Sequence, residues 1–592
     1  MAKRAALGNL PTWDLSDLYA GTDAPSLKRD LDRSETEAGA FRASYLGKVA
    51  GLSGADLGRA IAYYERLDET MAKAGSYAGL VHATSMEDAE IGRFYQTVQE
   101  RLTRISTELL FFTLELNKID DAALAEKLKD PAAARYRPWL RDLRVFRPHQ
   151  LAEEMEKLLH EKSITAYSAW VRLYDETQAA MRFRVSGKDL TMAGVLAGLT
   201  DKDGRKRRAS AKALSKGLKS NLRLFSLVTN TLAKDKEIAD RWRHYARPIS
   251  SRNLGNKVED EVVDALVAAV TASYGRLSHR YYQIKARWFG VKQLPYWDRN
   301  APLPKDADRK ISWDEAESIV LAAYRRFSPK LADIGQKFFE KPWIDAPVKP
   351  GKASGAFAHP TVPSAHPYLL LNYLGRTRDV MTLAHELGHG VHQVLAAGQG
   401  HLMCDTPLTL AETASVFGEM LTFRSLLDAE KSPKRRRVLL ASKVEDMLNT
   451  VVRQVALHSF EAVVHDERRS GELTPERLGE IWMEAQKASL GPAIRFDDDY
   501  RVFWAYIPHF IHSPFYVYAY AFGDCLVNSL YAVYQDAHQG FAARYLDMLK
   551  AGGTLRHKEL LAPFGLDASK PEFWAKGLQV VEGFIDELEQ MS

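Results

Sequence analysis

Apolar residues recur along most of this chain at the i, i+3, i+4 spacing of an amphipathic helix, with charged residues between them. The stretches that show this spacing best are residues 27–45, 55–74, 91–116, 262–288, 313–327 and 436–467. Strand and helix patterns do not alternate, and the sequence has no internal repeat or low-complexity tract. The pattern therefore predicts a mainly α-helical protein.

The only convincing strand signal is a short apolar run at residues 367–373 with tyrosine at or near both ends. It follows a break rich in proline and glycine at residues 346–355. We predict a small β-sheet element here, just before the helix described next. Two interpretations are open: an edge strand that an extended peptide joins by backbone hydrogen bonds, or a short buried segment.

Residues 380–395 combine helical spacing with an H-E-x-x-H motif made by His385, Glu386 and His389. On a helix the two histidines are four residues apart and share one face, so both imidazoles can bind one Zn²⁺. Glu386 lies about 100° round from His385, where it can act as general base toward water. The alternative is a buried helix with hydrogen-bonded histidines. The stripe opposite the histidines is apolar and is predicted to pack into the protein: Val380, Leu383, Leu387, Val391 and Val394.

A catalytic zinc ion needs a third protein ligand and keeps its fourth position for water. His392 shares the helix face, but it lies too far along the axis to complete a tetrahedron with His385 and His389. We interpret it as a residue beside the ligands or facing substrate. A second helix offers a better ligand, since Thr406 and Pro407 predict a helix start.

This second helix runs through residue 427 and carries acidic residues on the face opposite its apolar stripe. A carboxylate that faces inward is costly to bury unless it is paired or bound to metal. We therefore predict Glu412 as the third ligand. Glu419, two turns further on, is either a carboxylate that orients a ligand or a surface charge.

These two helices resemble the oligopeptidase F branch of the thimet oligopeptidase (M3) family of zinc metallopeptidases. The resemblance extends from near the N-terminus to about residue 523 and rests on further segments: 13–19 (WDLSDLY), 354–357 (SGAF), 368–373 (YLLLNY), 379–384 (DVMTLA), 411–415 (AETAS), 508–510 (PHF) and 515–520 (FYVYAY). One departure is the link at residues 511–514, which reads IHSP rather than the glycine-rich link of thimet-type enzymes.

The resemblance implies an elongated helical body split by a deep substrate channel. It also implies two domains, an N-terminal helical domain of the oligopeptidase F type at residues 1–195 and a catalytic M3 domain at residues 196–592.

A histidine and three tyrosines near residue 515 fit the same chemistry. Ser513 and Pro514 predict a helix start, after which Tyr516 and Tyr520 share a face and Tyr518 lies roughly opposite. Amide hydrolysis develops an oxyanion that a phenol or imidazole donor can stabilise. The resemblance implies this role for His509 and for one or two tyrosines, with Tyr516 and Tyr520 as candidates. An aromatic core helix is the alternative, which we favour for Tyr518.

Composition narrows the remaining function classes. The 592 residues are 46% hydrophobic and 27% charged, as in globular proteins, and carry a formal net charge of only +5. The basic clusters at residues 205–208 and 434–437 lack the interleaved aromatic residues of a nucleic-acid site. We predict a solvated surface there, with electrostatic steering of acidic partners as the alternative. No run approaches the roughly 20 apolar residues of a membrane span. Two cysteines and no apolar signal-peptide core predict a cytoplasmic protein without disulfides.

Together these features predict a zinc-dependent endopeptidase, with one Zn²⁺ per chain, that hydrolyses short unstructured peptides. A helical zinc carboxypeptidase is one alternative, and cleavage of a C-terminally amidated peptide would separate the two. A non-catalytic peptide-binding protein on the same scaffold is the other, against which the intact Glu386 argues.

Overall fold

The structure is a computed structural model that describes residues 7–163, 165–303, 310–536 and 539–591. It is mainly α-helical with a few small sheets, which confirms the predicted fold class. The α-helices, in chain order, are α1 Pro25–Tyr45, α2 Gly54–Ala83, α3 Ala89–Lys118, α4 Asp121–Lys127, α5 Pro131–Ala134, α6 Arg137–Arg144, α7 Glu153–Ser163, α8 Tyr167–Ala180, α9 Met192–Gly198, α10 Gly204–Ser220, α11 Leu222–Trp242, α12 Ser250–Gly255, α13 Asp260–Ala272, α14 Arg280–Trp288, α15 Trp313–Phe327, α16 Pro329–Glu340, α17 Thr377–Ala396, α18 Leu408–Ala429, α19 Pro433–Thr450, α20 Val452–Arg468, α21 Pro475–Leu490, α22 His509–His512, α23 Tyr518–Asp536, α24 Phe541–Lys550, α25 His557–Leu561 and α26 Pro571–Gln590.

The strands are short. They are β1 Phe183–Val185, β2 Lys188–Leu190, β3 Leu294–Pro295, β4 Ile344–Asp345, β5 Phe357–His359, β6 Tyr368–Leu370 and β7 Ile494–Arg495. β1 and β2 form an antiparallel hairpin, and β3 pairs in parallel with β7. The hairpin was not predicted, although its turn falls in a Gly-containing stretch where Ser186 and Gly187 both adopt positive φ.

The chain divides into two compact units, each made of three chain segments. The first unit comprises Met1–Arg147, Asp308–Asp428 and Ala537–Phe564, and the second comprises Pro148–Ala307, Ala429–Asp536 and Gly565–Ser592. In the first unit, α1, α2 and α3 pack around a buried core that includes Phe41, Leu57, Ile61, Phe112 and Leu116.

A three-stranded sheet in the first unit has the order β4-β6-β5, with β4 parallel and β5 antiparallel to β6. Both β5 and β6 contact α17, which confirms a small sheet beside the helix of the H-E-x-x-H motif. The edge-strand interpretation of residues 367–373 is wrong, because β6 is fully buried and pairs on both sides. The outer strands of this sheet are β4 and β5, and each is too short to give a strand signal in the sequence.

Two of the long predicted helices are interrupted. The stretch at 262–288 breaks into α13, a π-helical turn at Gly275–His279, and α14. Ser278 and His279 in this turn hydrogen-bond to the carbonyl groups of Ser489 and Ala488, at the end of α21. The stretch at 436–467 breaks between α19 and α20 at Val451. The apolar spacing continues through both breaks, because the helices before and after each break turn the same face toward the core.

The basic cluster at residues 205–208 is not wholly solvated. Arg207 is buried and donates to Asp298 over 2.8 Å, while its neighbours are exposed. The prediction of a solvated surface is wrong for this residue, because an ion pair compensates its burial. Among the helices in the described part of the chain, none is long and apolar enough to span a bilayer.

Candidate functional site

The helix of the H-E-x-x-H motif, α17, is fixed at its start and along one face. The Asp379 carboxylate accepts hydrogen bonds of 2.9 Å from the N–H groups of Leu374 and Arg376, which satisfies donors ahead of the first turn. Val380, Leu383, Leu387 and Val391 are fully buried, as predicted for the stripe opposite the histidines, whereas Val394 at the end of the stripe is only partly buried. The histidines therefore project from a helix that is packed along its other side.

His385, His389 and Glu412 come together in the first unit, as the sequence predicts. Their ligand atoms lie within 4.8 Å of one another. Glu412 Oε2 is 3.4 Å from His385 Nε2 and 3.7 Å from His389 Nε2. Glu412 reaches this position because α18 begins at Leu408, one residue after Pro407.

Glu386 lies beside this group but points to the sheet. Its side chain is 7% exposed and accepts a hydrogen bond from the backbone N–H of Ala358 in β5. Burial disfavours the charged carboxylate and raises the pKa of Glu386 to about 7. A carboxyl with this pKa can both accept and return a proton near neutral pH.

Two further side chains on α18 orient the candidate ligands. Glu419 Oε2 lies 3.4 Å from His385 Nδ1, on the ring edge away from Glu412, and its side chain is 16% exposed. This is the orienting position considered for Glu419, and the surface-charge alternative is wrong. Ser415, which is fully buried, donates to Glu412 Oε2 over 2.8 Å. The sequence did not predict this role for Ser415, because a serine within a helix has no distinctive spacing.

Two glycines let the helices approach closely, and neither was singled out from the sequence. A Cβ on Gly388, between the two histidines, would lie 2.5 Å from the Ala414 carbonyl oxygen. A Cβ on Gly418 would lie 2.2 Å from the hydroxyl of Tyr324, which donates to the Ala384 carbonyl over 2.7 Å. Glycine inside a helix costs stability, and that cost is the sequence signal that could have marked both positions.

The charges around the two histidines differ. Burial works against a charge on His385, but the neighbouring carboxylates of Glu419 and Glu412 outweigh it and raise the pKa of this imidazole. Burial lowers the pKa of His389. Three carboxylates around one imidazole in a partly buried site favour a bound cation.

His392 lies apart from the candidate ligands. It is buried, and its Nε2 is 3.2 Å from the Thr406 hydroxyl in the segment that leads into α18. Burial lowers its pKa to about 4, so the imidazole is neutral at physiological pH. This contact ties the end of α17 to the start of α18.

His509, Tyr516 and Tyr520 come together in the second unit. The ring centroids of Tyr516 and Tyr520 are 5.4 Å apart, and His509 Nε2 lies 3.4 Å from the Tyr520 hydroxyl. With Pro508, His512 and Ser513 these three side chains line one pocket. Tyr518 is fully buried, and its hydroxyl accepts a hydrogen bond of 2.8 Å from Asn256, as suits a core residue.

The predicted helix start at Ser513 and Pro514 is wrong. α22 ends at His512 and α23 begins only at Tyr518. Phe515 lies between them with φ of +59°, a left-handed conformation that ends any helix. Tyr516 therefore lies just before α23 and Tyr520 in its first turn, and the two rings still come together.

Comparison with known proteins identifies the family. Residues 199–580 match the model of peptidase family M3, and residues 115–183 match the model described as Oligopeptidase F. The chain belongs to peptidase family M3. As an M3 member it is an enzyme, a metallo-endopeptidase, which confirms the predicted enzyme class.

Individual relatives match over most of the chain. The chain is 26% identical to Oligopeptidase PepF of Bacillus subtilis, over 98% of this chain and 87% of that protein. It is 25% identical to an oligoendopeptidase F homolog of Borreliella burgdorferi, over 89% and 90% of the two chains. The crystal structure of oligoendopeptidase-F from Enterococcus faecium has a TM-score of 0.71 at 22% identity, covering 96% of this chain and 97% of that one. The crystal structure of a putative peptidase from Chlamydophila abortus has a TM-score of 0.88 at 24% identity, covering 98% of each chain, so the two chains share one fold.

Proposed function

We propose that this M3 peptidase is a zinc-dependent oligoendopeptidase that hydrolyses short unstructured peptides. The observation that carries the proposal is the convergence of His385, His389 and Glu412, with Glu386 beside them. The relatives' names, oligopeptidase and oligoendopeptidase, support short peptides as the substrates.

The donor set fits Zn²⁺. Two imidazole nitrogens and one carboxylate oxygen are a common ligand set of catalytic zinc. A tetrahedral ion with bonds of about 2.1 Å separates its ligand atoms by about 3.4 Å, which is close to the 3.4 and 3.7 Å between Glu412 and the two histidines. Bound by these residues, Zn²⁺ would polarise the scissile carbonyl and lower the pKa of water.

Glu386 is proposed as the general base and later the general acid. Its carboxylate takes a proton from the water that attacks the scissile carbonyl. The carboxyl, protonated in that step, then returns the proton to the leaving amine. The hydrogen bond from Ala358 N–H holds the carboxylate in one orientation during both transfers.

His509, Tyr516 and Tyr520 are proposed as donors to the carbonyl oxygen as it gains negative charge. Their support is chemical: an imidazole and two phenols line one pocket. Burial lowers the pKa of His509, so at neutral pH its imidazole is neutral and can donate only from the nitrogen that carries the proton.

Two accompanying proposals concern organisation. We propose an N-terminal domain at residues 1–195 and a catalytic domain at residues 196–592. We also propose that the protein is located in the cytoplasm, with which the free thiols of Cys404 and Cys525 are compatible.

The test uses a short internally quenched peptide that is acetylated at its N-terminus and amidated at its C-terminus. We expect cleavage at an internal bond, loss of activity with a phenanthroline chelator, and recovery on addition of one equivalent of Zn²⁺ per chain. Glu386→Gln should keep zinc and peptide binding but lose about 10²–10⁴-fold in rate.

Three results would contradict the proposal. Activity in protein without stoichiometric metal would exclude the metal site. Failure to cleave the blocked peptide, while the same peptide with a free C-terminus is cleaved, would indicate a carboxypeptidase. Near-normal turnover by zinc-loaded Glu386→Gln would exclude Glu386 as the base.

A further inference from the structure

The turn between α22 and α23 holds Phe515 in a conformation that phenylalanine rarely adopts. Its φ of +59° lies in the left-handed region, where a bulky side chain is strained. The residue is not at the surface, since its side chain is 1% exposed and its ring lies 4.9 Å from the His465 ring. Strain of this kind persists only where the surroundings enforce it.

The backbone N–H of Phe515 has a specific buried partner. It donates to Glu461 Oε1 of α20 over 2.7 Å, and the Glu461 side chain is only 2% exposed. The second carboxyl oxygen, Oε2, has no hydrogen-bond partner among the described residues. Burial raises the pKa of Glu461 to about 8, so at neutral pH it is an uncharged acceptor.

A second side chain holds the same turn. Arg252 Nε donates to the Pro514 carbonyl over 3.1 Å, and its guanidinium lies 5.9 Å from the centre of the Tyr516 ring. Glu461 and Arg252 therefore contact three consecutive residues, Pro514, Phe515 and Tyr516, from inside the second unit. The preceding turn is fixed separately, since the Tyr167 hydroxyl of α8 donates to the His512 carbonyl over 2.7 Å.

We propose that Glu461 and Arg252 are positioning residues of the reaction: they hold the turn at residues 514–516 so that Tyr516 points toward substrate. A turn released from both contacts would let Phe515 relax to negative φ and would rotate the Tyr516 ring with it. The inference rests on the proposed role of Tyr516 as a donor to substrate. Neither Glu461 nor Arg252 needs to touch the reacting atoms.

The experiment compares Glu461→Met, Glu461→Gln and Arg252→Met in the full-length, zinc-loaded enzyme. Methionine removes the acceptor at similar volume, whereas glutamine keeps a neutral acceptor for Phe515 N–H. We expect Glu461→Met and Arg252→Met to lower kcat by about 10- to 100-fold, with KM within a few-fold of wild type. Glu461→Gln should restore kcat. Arg276→Met, which removes an arginine paired with Glu582 elsewhere in the second unit, is the matched control with unchanged kcat.

A double-mutant cycle separates positioning from general stability. If Glu461 acts through Tyr516, Glu461→Met should have little further effect on kcat in a Tyr516→Phe background. Full additivity, or a wild-type kcat for both Glu461→Met and Arg252→Met, would overturn the inference. If Glu461→Met does not fold, the same cycle is run with Arg252→Met, whose side chain is only partly buried.

The outcomes also distinguish this inference from the proposed function. A normal kcat for both Tyr516→Phe and His509→Ala would show that the donors themselves are wrongly assigned. A low kcat for those two variants, together with a normal kcat for Glu461→Met and Arg252→Met, would overturn the positioning role alone.

Discussion

At the scale of single residues, the candidate metal centre depends on side chains that orient other side chains. Glu419 lies 3.4 Å from the Nδ1 edge of His385, and Ser415 donates to Glu412. A carboxylate on the far nitrogen fixes the ring and its tautomer, so that Nε2 is free to bind a metal. The motif alone predicts which residues bind, whereas these neighbours decide how firmly they are held.

Glu419→Gln should weaken Zn²⁺ binding by about 10- to 100-fold, because the amide is a poorer acceptor for the His385 N–H. Competition with a chromophoric chelator measures the change. Asp428→Asn removes a carboxylate from the exposed end of α18 and is the matched control. Equal affinity of the two variants would show that Glu419 does not support the ligand.

The tyrosines provide a second prediction at this scale. Tyr516→Phe and His509→Ala should each lower kcat by about 10²–10³-fold with little change in KM, as expected for donors that act on the developing oxyanion. Tyr518→Phe should keep kcat and lose only thermal stability, since its hydroxyl serves Asn256 in the core. Steady-state kinetics with one fluorogenic peptide decides the matter. If Tyr518→Phe lowered kcat while Tyr516→Phe and His509→Ala kept full kcat, the assignment of the oxyanion donors would be wrong.

At the scale of secondary structure, the two helices that carry the candidate metal ligands pack at a very short separation. Gly388 on α17 faces the backbone of Ala414 and Ser415 on α18, so neither neighbour can move aside as a flexible side chain would. Tyr324 of α15 reaches Gly418 and the Ala384 carbonyl, which ties a third helix to both. The spacing of the ligand atoms is a consequence of this packing.

Gly388→Ala should push α17 and α18 apart and lower both stability and metal affinity. Overpacking of this kind costs about 1–3 kcal/mol, more than the roughly 1 kcal/mol that alanine gains in helix propensity. Gly79→Ala in α2 is the control, because a Cβ there meets nothing within 4 Å, and it should be neutral or stabilising. Thermal unfolding and zinc titration test both. An alanine at 388 that binds zinc normally would contradict the close-packing argument.

At the scale of the whole molecule, buried titratable groups make stability depend on pH. Burial raises the pKa of Glu461 from 4.5 to about 8, and it lowers the pKa values of His458 and His465 from 6.5 to about 4 and about 3. All three are uncharged in the folded protein near neutral pH. Each side chain therefore contributes most to stability at pH values where it is also uncharged in the unfolded chain.

The signs are opposite for the two residue types. Glu461 has a folded pKa above its unfolded value, so its contribution is complete below pH 4.5 and is lost as pH rises to about 8. The histidines contribute fully above pH 6.5, and their contribution is lost as pH falls toward 4 and 3. These three groups alone place maximum stability near pH 6.5.

Comparison of wild type with Glu461→Gln isolates the loss of stability that Glu461 causes as pH rises. Between pH 5 and 8, wild type should lose stability relative to Glu461→Gln by about 1.4 kcal/mol per pH unit. Melting temperatures of both proteins across this range measure the difference. Parallel curves would mean that Glu461 is ionised in the folded protein, contrary to its burial and its single donor.

The sequence alone determined the local chemistry of this protein. The 3.6-residue period places His385 and His389 on one face with Glu386 beside it, and the same period brings Glu412 inward on the next helix. Mainly helical structure follows from the same spacing, because periodicity is a property of neighbouring residues. These predictions depend only on residues close in sequence, and the structure agrees with them.

The tertiary structure decided the features that join distant parts of the chain. Local signals at Ser513 and Pro514 favour a helix, but Glu461, which is 54 residues away in sequence, takes the Phe515 N–H and a left-handed turn forms instead. β6 became a central strand because β4 and β5, short and without pattern, pair on both its sides. Gly388 acquired its importance only from the backbone of Ser415 opposite it. Such contacts produce no periodic pattern in the sequence. Each partner is positioned by the packing of whole helices, not by the residues next to it in the chain.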